Sequence, residues 1–310
     1  MAIQRLDTDG ELSPELLFER HRDEIRRYLT RHISANLFQL CWLENHGVRP
    51  LSNPELFAFR GIRSPRGELL GVSLVITDRL TLLSTDAPKT ARHFGRWFRR
   101  QRIGFEHVVS CADCVGPFWE AYSDQNEEGR AYCRARLNRP QTMYELERAD
   151  WYEHARRRDG RPEPSGIRYA ALRDMDALFL ASAHMHREET LEDPLEKDPE
   201  GFREHVRHRV ESDRSFVWFN HHRQLQFKAD ISAQGDCGVQ ISGVYTAPSM
   251  RGQGIATRAM YDICSRLFDD GVPRIVLYVN RDNAPAKQVY ENVGFDYCTD
   301  YQTVFVASDS

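Results

Sequence analysis

The sequence lacks the features that mark membrane-spanning, secreted and strongly basic proteins. It contains no run of about 18 apolar residues, which a membrane-spanning helix needs. Its first residues, MAIQRLDTDG, have neither the basic start nor the apolar stretch of a signal peptide. Lys and Arg total 42 while Asp and Glu total 46, so the net charge of −4 gives no reason to expect a nucleic-acid partner. We expect a soluble, cytoplasmic protein with no membrane partner.

Cysteines are too few and too scattered to form a recognisable framework. The seven cysteines are an odd number spread over 310 residues, which is unlike the dense pairing of small disulfide-rich domains. Cys111 and Cys114 form a CxxC motif, but a zinc site needs a second Cys or His pair at metal spacing. We therefore expect reduced thiols and no metal cofactor.

Length and one change of composition predict two domains. At roughly 150 residues per domain, the 310 residues make about two. Residues 149–165 combine three consecutive arginines with two prolines, a composition typical of a linker. The sequence therefore predicts a first domain at 1–148, a linker at 149–165 and a second domain at 166–310.

Both halves repeat one order of elements. After initial helical segments, each half has three short strands in succession, then a helix, a strand and a second helix. In the second half the last two helices are predicted at 254–268 and 284–293, with a closing strand near 303–306. This order predicts an α/β (α+β) fold with a weak internal duplication. The other predicted strands are 56–62, 69–76, 79–85 and 105–111, then 215–219, 225–231, 239–245 and 274–279.

One strand-to-helix junction has the chemistry of an anion site. The β-branched strand ending near Thr246 is followed by RGQGIA at 251–256 and then by a helical apolar pattern. Glycines at 252 and 254 permit close backbone approach, and the first helical turn has free amide groups. Such a turn suits a pyrophosphate. The alternative is that the two glycines only make a tight connection.

A second junction follows the next strand. Asn283 is a good N-cap residue, Pro285 suits the first helical turn, and Gly294 is positioned to end the helix. Tyr290 lies about two turns into this helix. The segment therefore predicts a well-bounded helix that carries one phenol.

Together the two junctions resemble the GNAT superfamily of acyl-CoA-dependent N-acyltransferases, and the resemblance covers residues 225–306. It implies tandem GNAT-like domains, each with a mixed, mostly antiparallel sheet flanked by helices. The first half would be degenerate, because the segment at 84–94 that corresponds to the glycine turn has no glycine. We expect that half to bind no acyl-CoA. The matching positions are Arg251, Gly254 and Ala256, followed by Asn283, Ala286, Tyr290, Gly294 and Phe295.

The resemblance also implies roles for individual residues. Acetyl-CoA would be the cosubstrate, with its pantetheine paired to backbone of the preceding strand and Asn283 and Ala286 nearby. Tyr290 would protonate the departing thiolate, because a phenol is protonated at neutral pH, and the Val244 amide would meet the oxyanion. Strand residues assigned to the pantetheine are Val244, Tyr245 and Thr246. The pyrophosphate would be held by Arg251, Gly252, Gln253, Gly254, Ile255 and Ala256.

The general base is left open by the sequence. Many members of the family have a Glu on the strand before the glycine turn, whereas this sequence has Gln240 near that position, and an amide does not accept the proton. Three other carboxylates are candidates: Asp230 on the neighbouring strand, and Glu188 or Glu189 in the segment that borders the acceptor pocket in this family.

These observations favour an acetyl-CoA-dependent N-acetyltransferase. The acceptor would be a primary amine of a small molecule or peptide, and the protein would be a monomer or homodimer. The alternative is a non-catalytic module that binds acyl-CoA or a partner, which the missing strand Glu suggests. A tRNA-binding acyltransferase rests only on an arginine-rich stretch after Phe94.

Overall fold

A computed structural model describes residues 12–50, 55–124, 133–157 and 163–307. By their contacts the residues form two compact units. The first unit comprises residues 1–143, 278–282 and 298–310, and the second comprises residues 144–277 and 283–297.

The described residues form twelve strands. They are β1 (Glu15–Leu16), β2 (Phe57–Arg63), β3 (Leu69–Ile76), β4 (Leu80–Thr85), β5 (His107–Cys111), β6 (Ala135–Glu147), β7 (Arg168–Tyr169), β8 (Ser215–Phe219), β9 (Leu225–Gly235), β10 (Gly238–Thr246), β11 (Arg274–Asn280) and β12 (Asp296–Val306).

The described α-helices are ten. They are α1 (Arg22–Leu29), α2 (Leu37–His46), α3 (Pro88–Arg100), α4 (Ala112–Ser123), α5 (Arg148–Arg157), α6 (Met175–Thr190), α7 (Pro194–Lys197), α8 (Pro199–Glu211), α9 (Ile255–Asp269) and α10 (Ala284–Val293). Among the residues described, none of these helices has the length and apolar character needed to cross a membrane.

The first unit is a mostly antiparallel sheet with helices packed on it. Its strands lie in the order β1-β2-β3-β4-β5-β12. Antiparallel pairs join β1 to β2, β2 to β3, β3 to β4 and β5 to β12, whereas β4 and β5 are parallel. Aromatic side chains of α3 and α4 pack onto the sheet, and Phe94, Phe98 and Phe118 are fully buried there. A crossover helix between parallel strands explains the position of α3.

The second unit repeats this plan. Its strands lie in the order β11-β10-β9-β8-β7, with antiparallel pairs except between β10 and β11, which are parallel. Helices α6 and α8 cover part of the sheet through a cluster that includes Leu178, Val206 and Val217. The predicted mixed, mostly antiparallel sheet flanked by helices is therefore confirmed in both units.

Most predicted elements are present, and two strands differ from the prediction. The strand β6 at 135–147 was not predicted, because Pro140 lies in its middle and proline is rare inside strands. The closing strand near 303–306 is part of the longer β12, which pairs with β5 from Tyr301↔Cys111 to Phe305↔His107. This pairing joins residues almost 200 positions apart, and local sequence patterns carry no signal for such a partner.

The compact units also differ from the division by chain position. The sequence divides the chain at 149–165, but residues 278–282 and 298–310 belong to the first unit. Of the predicted linker, residues 149–157 are helical in α5, while 158–162 lie outside the described residues. The seven cysteines are free.

Candidate functional site

The strand β10 carries an irregularity at the positions assigned to the thioester. Its pairing with β9 runs through Ser242↔Asp230, then shifts and resumes at Tyr245↔Lys228. Gly243 has φ +58°, a left-handed conformation that favours glycine. The extra residue is a β-bulge, a device that re-aims backbone groups. The bulge falls at Gly243 and Val244.

Beyond its start, one side of β10 has no strand partner among the described residues of its unit. β10 pairs with β11 at Val239↔Ile275 and Gln240↔Val276. Farther along, its described pairing within the second unit is with β9. Unpaired strand edges recruit extended ligands by backbone hydrogen bonds. The edge from Ile241 to Thr246 is therefore suited to a chain such as pantetheine.

The glycine turn leads directly into α9. Gly252 and Gly254 have φ of +76° and +72°, and Gly254 is the N-cap residue of α9. A Cβ added at either glycine would meet nothing within 4 Å, so the concave side of the turn is open. The Gln253 side chain donates to the Ser249 carbonyl at 3.1 Å and braces the turn. The amides of the first turn of α9, which begins at Ile255, have no acceptor inside the helix, as at any helix start, and a helix end of this kind suits an anion.

Arg251 connects this turn to helix α6. Its Nε donates to the Thr246 carbonyl at 3.1 Å, and its Nη2 lies 3.2 Å from an Oε of Glu188. Both partners of the ion pair are about half exposed, with 49% and 46% of the side-chain surface accessible. Burial raises the pKa of the neighbouring Tyr245, and Glu188 adds to the rise. Two residues predicted for different roles, Arg251 and Glu188, are thus in direct contact.

The second junction has the predicted local geometry. Asn283 is the N-cap of α10, and its Oδ1 accepts from the Ala286 amide at 3.2 Å. Pro285 lies in the first turn, and Gly294 ends the helix in a left-handed conformation with φ +116°. These capping predictions are confirmed. A contact of Asn283 or Ala286 with pantetheine stays a prediction.

Tyr290 lies on the inner face of α10. Its side chain is 5% exposed, and its ring lies near those of Tyr144 and Phe295, with centroids 6.1 and 6.0 Å away. Burial raises the pKa of the Tyr290 phenol, and the charge of Glu189 raises it further. The phenol is therefore a proton donor over the whole physiological pH range.

The structure separates the three candidate carboxylates. Asp230 is 2% exposed, and its Oδ2 lies 2.6 Å from Lys228 Nζ and 3.0 Å from Arg209 Nη1. Burial raises the pKa of Asp230, but these two cations outweigh it and the pKa is lowered. A buried carboxylate held by two cations is a poor base. Glu188 is engaged with Arg251, and Glu189 is the carboxylate that acts on Tyr290.

Gln240 does not supply a replacement for the missing strand Glu. It is 4% exposed, and its Nε2 donates to the Ser232 hydroxyl at 2.9 Å. The same hydroxyl donates to the Gln240 carbonyl at 3.2 Å. Gln240 therefore fixes the beginning of β10 against β9.

Sequence reasoning missed the group that surrounds Asp230. Lys228 is fully buried, and the Ser215 hydroxyl donates to Asp230 Oδ1 at 2.8 Å. The available signal is the spacing of Lys228 and Asp230, which places both on one face of a strand whose neighbours are apolar. Two opposite charges on a buried face indicate an internal ion pair.

Comparison with known proteins gives a family match in this half. Residues 184–295 match the family model described as the acetyltransferase (GNAT) family. A curated protein named mycothiol acetyltransferase, from Brachybacterium faecium, is 40% identical over 81 residues, which are 26% of this chain and 22% of that protein. The chain thus spans about a fifth of the length of that relative.

Solved structures resemble the whole chain. A GCN5-related N-acetyltransferase from Sphaerobacter thermophilus covers 97% of this chain and 96% of its own, with 15% identity and a TM-score of 0.57. A tandem GNAT protein from the clavulanic acid biosynthesis pathway covers 97% and 100%, with 13% identity and a TM-score of 0.52. At these identities the likeness establishes the fold.

Proposed function

We propose that the second unit, whose residues 184–295 form a domain of the GNAT acetyltransferase family, transfers an acetyl group from acetyl-CoA to a primary amine. The observation that carries the proposal is the sequence of features along one strand and helix. An open strand edge leads to an open diglycine turn at a helix N-terminus. This order matches the order of groups in an acyl-CoA, in which an extended pantetheine chain leads to a negatively charged pyrophosphate.

The turn would hold the pyrophosphate. Backbone amides between Gly252 and Ala256 provide donors without charge, and the helix end favours an anion. The guanidinium of Arg251 would add a charged contact, since Arg pairs well with phosphate oxygens. Its present partner, Glu188, would then be released to solvent. Asn283 and Ala286 would border the pantetheine.

The strand edge would hold the pantetheine and the thioester. Val244, Tyr245 and Thr246 would pair with the pantetheine amides as an added strand. The Val244 amide, at the bulge, would donate to the thioester oxygen as it gains negative charge. In this arrangement the thioester carbonyl lies beside β10.

The reaction is direct attack by a neutral amine. The amine nitrogen bonds to the thioester carbon, and the carbonyl electrons move to the oxygen. The C–S bond then breaks, and the thiolate takes its proton from the Tyr290 hydroxyl. The ammonium proton formed on attack passes to a carboxylate, directly or through water.

Glu189 is the carboxylate that we favour for that proton. Its charge acts on the Tyr290 phenol, which marks the position of the sulfur in the proposed complex. Asp230 is closed in its ion pair, and Glu188 faces Arg251 at the pyrophosphate turn. A Glu189→Gln variant should lower kcat and shift its dependence on pH, whereas Glu188→Gln should leave kcat unchanged.

The test combines binding and turnover. Calorimetry with acetyl-CoA should give one site per chain, and a panel of primary amines should release CoA thiol with at least one member. Absence of binding at millimolar acetyl-CoA contradicts the proposal. The relative named mycothiol acetyltransferase supports acetyl transfer.

A second candidate is a non-catalytic acyl-CoA sensor. The observation that favours it is Gln240, whose amide is buried and hydrogen-bonded where many GNAT proteins have the base. A sensor binds acetyl-CoA but releases no thiol with any amine. Turnover with one amine excludes it.

A further inference from the structure

A buried ion pair in the second unit has no part in the reaction just described. Lys228 is 0% and Asp230 2% exposed, and the two charged atoms lie 2.6 Å apart. Arg209 of α8 reaches the same Asp230 oxygen at 3.0 Å. The Ser215 hydroxyl of β8 donates to the other oxygen at 2.8 Å. One carboxylate therefore ties together α8, β8 and β9.

The bulge of β10 packs directly on this ion pair. A Cβ added at Gly243 would lie 2.6 Å from Asp230 Oδ2 and 3.2 Å from Lys228 Nζ. The two charged groups thus fill the space beside the bulged backbone. Gly243 itself has φ +58°, which an L side chain rarely adopts. The ion pair can lie this close to β10 only because residue 243 has no side chain.

Stability alone does not account for such a pair. Removing two charges from water costs free energy, and well-packed apolar residues of similar volume often do as well or better. An ion pair differs from apolar packing in being directional, since hydrogen bonds require defined distances and angles. Its effect is to fix where Asp230 lies, and Asp230 fixes where the bulge lies.

We propose that the Lys228–Asp230 pair, held by Arg209 and Ser215, positions the β10 bulge so that the Val244 amide points at the thioester oxygen. Lys228 and Asp230 are positioning residues, because they act through the backbone of Gly243 and Val244. The inference deepens the proposed function and rests on it. The ion pair would affect the rate of acetyl transfer, whereas the glycine turn would determine the affinity for CoA.

The main test replaces both charges at once. The double variant Lys228→Met/Asp230→Leu keeps roughly the same volume and removes the directional contacts. It also leaves the Ser215 hydroxyl and Arg209 without their carboxylate partner, so the melting temperature should fall by several degrees while the protein stays folded. We expect kcat to fall about a hundredfold, the size of effect associated with a 1 Å misplacement of a reacting group. The Kd for free CoA, measured by calorimetry, should stay within about threefold. Amides 243–245 should exchange with deuterium faster.

Two single variants guard against a double variant that does not fold. Gly243→Ala places a Cβ against Asp230 and should lower kcat with little change in CoA affinity. Gly271→Ala is the matched control, because Gly271 is also left-handed, at φ +93°, with nothing within 4 Å of an added Cβ. This control also places a side chain at a residue of positive φ, without a clash, and should leave kcat unchanged.

The outcomes separate this inference from the proposed function. If the double variant keeps kcat within twofold of wild type, the positioning role is wrong. If the affinity for CoA falls as far as kcat, the pair supports the whole unit rather than the bulge, and the inference is also wrong. If wild type releases no thiol with any amine, the proposed function fails. Unchanged deuterium exchange at 243–245 in the double variant then overturns the inference on its own.

Discussion

The two units build the same strand-to-helix junction from different residues. In the second unit β10 leads into Gly252 and Gly254, both left-handed and open on one side. In the first unit β4 leads through Asp86 to Pro88 at the start of α3. Proline has no amide hydrogen to donate, and the carboxylate of Asp86 pairs with Arg31 at 3.0 Å, so this junction offers an anion fewer donors.

The edges of β4 and β10 also differ in how far side chains occupy their carbonyl groups. In the first unit the Ser110 hydroxyl donates to the Leu83 carbonyl, and the Cys114 thiol lies 3.8 Å from the Thr85 carbonyl. Side chains of the unit itself thus occupy carbonyl groups of β4 that an extended ligand would use. In β10 the described side-chain contacts to carbonyl groups fall at the two ends of the strand, from Ser232 to Gln240 and from Arg251 to Thr246, and the Gly243 bulge lies between them.

The last helices of the shared plan are α4, which follows β5, and α10, which follows β11, and at one position they differ by a hydroxyl. Counted from the start of the helix, Phe118 of α4 and Tyr290 of α10 hold the same position. Phe118 is fully buried among other aromatic rings, whereas Tyr290 is 5% exposed. The two units can therefore share a fold and differ in chemistry, because the fold depends on apolar patterns while the chemistry depends on a few positions.

Making α10 resemble α4 should abolish most of the transfer activity. Tyr290→Phe removes the proposed proton donor, and kcat should fall about a hundredfold or more, while calorimetry gives an unchanged Kd for acetyl-CoA. Because the pKa of this phenol is raised, Tyr290 stays protonated past pH 10 or so, the ordinary value for tyrosine. Wild-type kcat should therefore show no loss from this group below that pH.

Tyr122→Phe in α4 is the control for the loss of a phenol. The Tyr122 hydroxyl donates to the Ile103 carbonyl at 2.9 Å, so this variant should lose about 1 kcal/mol of unfolding free energy with kcat unchanged. Full activity of Tyr290→Phe would contradict the assigned role.

Adding a side chain in the open glycine turn should weaken the binding of acetyl-CoA. Gly254→Ala adds a side chain where the pyrophosphate is proposed to lie and strains a left-handed residue, at a cost of roughly 1–2 kcal/mol. The Kd for acetyl-CoA should rise about tenfold. Gly67→Ala in the first unit is the control, because Gly67 also has a positive φ, +86°, and open space. Equal affinities in both variants would argue that the turn binds nothing.

The exposed Arg251–Glu188 pair should give a smaller effect. Arg251→Gln removes one charged contact to the pyrophosphate and should raise the Kd for acetyl-CoA about fivefold at low salt, with the difference vanishing near 1 M salt. Glu188→Gln removes the competing partner and should lower the Kd about twofold or less, as expected for a half-exposed ion pair. A rise in Kd for Glu188→Gln would mean that Glu188 supports the bound state.

Removing the Ser110 hydroxyl from the Leu83 carbonyl should not create a second acetyl-CoA site in the first unit. Ser110→Ala leaves the Leu83 carbonyl without its hydroxyl partner and should cost about 1–3 kcal/mol of unfolding free energy, measured with urea. Acetyl-CoA should still bind with a stoichiometry of one per chain, because the Asp86 turn is unchanged. A second binding event would show that Ser110 alone keeps the first unit empty.

The sequence predicted best where the signal is local. Helices α9 and α10 were expected at nearly their observed bounds, since glycine, Asn283 and Pro285 mark their ends within a few residues. The meanders of both units follow from short β-branched runs. Strand β6 was missed because Pro140 interrupts it, and the partner of β12 was missed because its pairing is distant.

The site was predicted in type more than in contact. The local conformation of the glycine turn follows from its sequence, since Gly252 and Gly254 are left-handed and Gly254 begins α9, while the binding of an anion there stays a prediction. The state of each carboxylate depends on neighbours from other elements, as Asp230 shows with its contacts to Arg209 and Ser215. Such contacts arise only when the chain is folded. The sequence therefore left Asp230, Glu188 and Glu189 as equal candidates for the general base.

The position of β12 has a consequence for the order of folding. Strand β5 of the first unit pairs with β4 on one side and acquires its second partner only when residues 301–305 are available. During synthesis from the N-terminus the first unit therefore waits, with the edge of β5 bare, until nearly the entire second unit has been made. Such distant pairing slows folding and prolongs exposure of an edge that can aggregate. The unit that comes first in the chain is completed last.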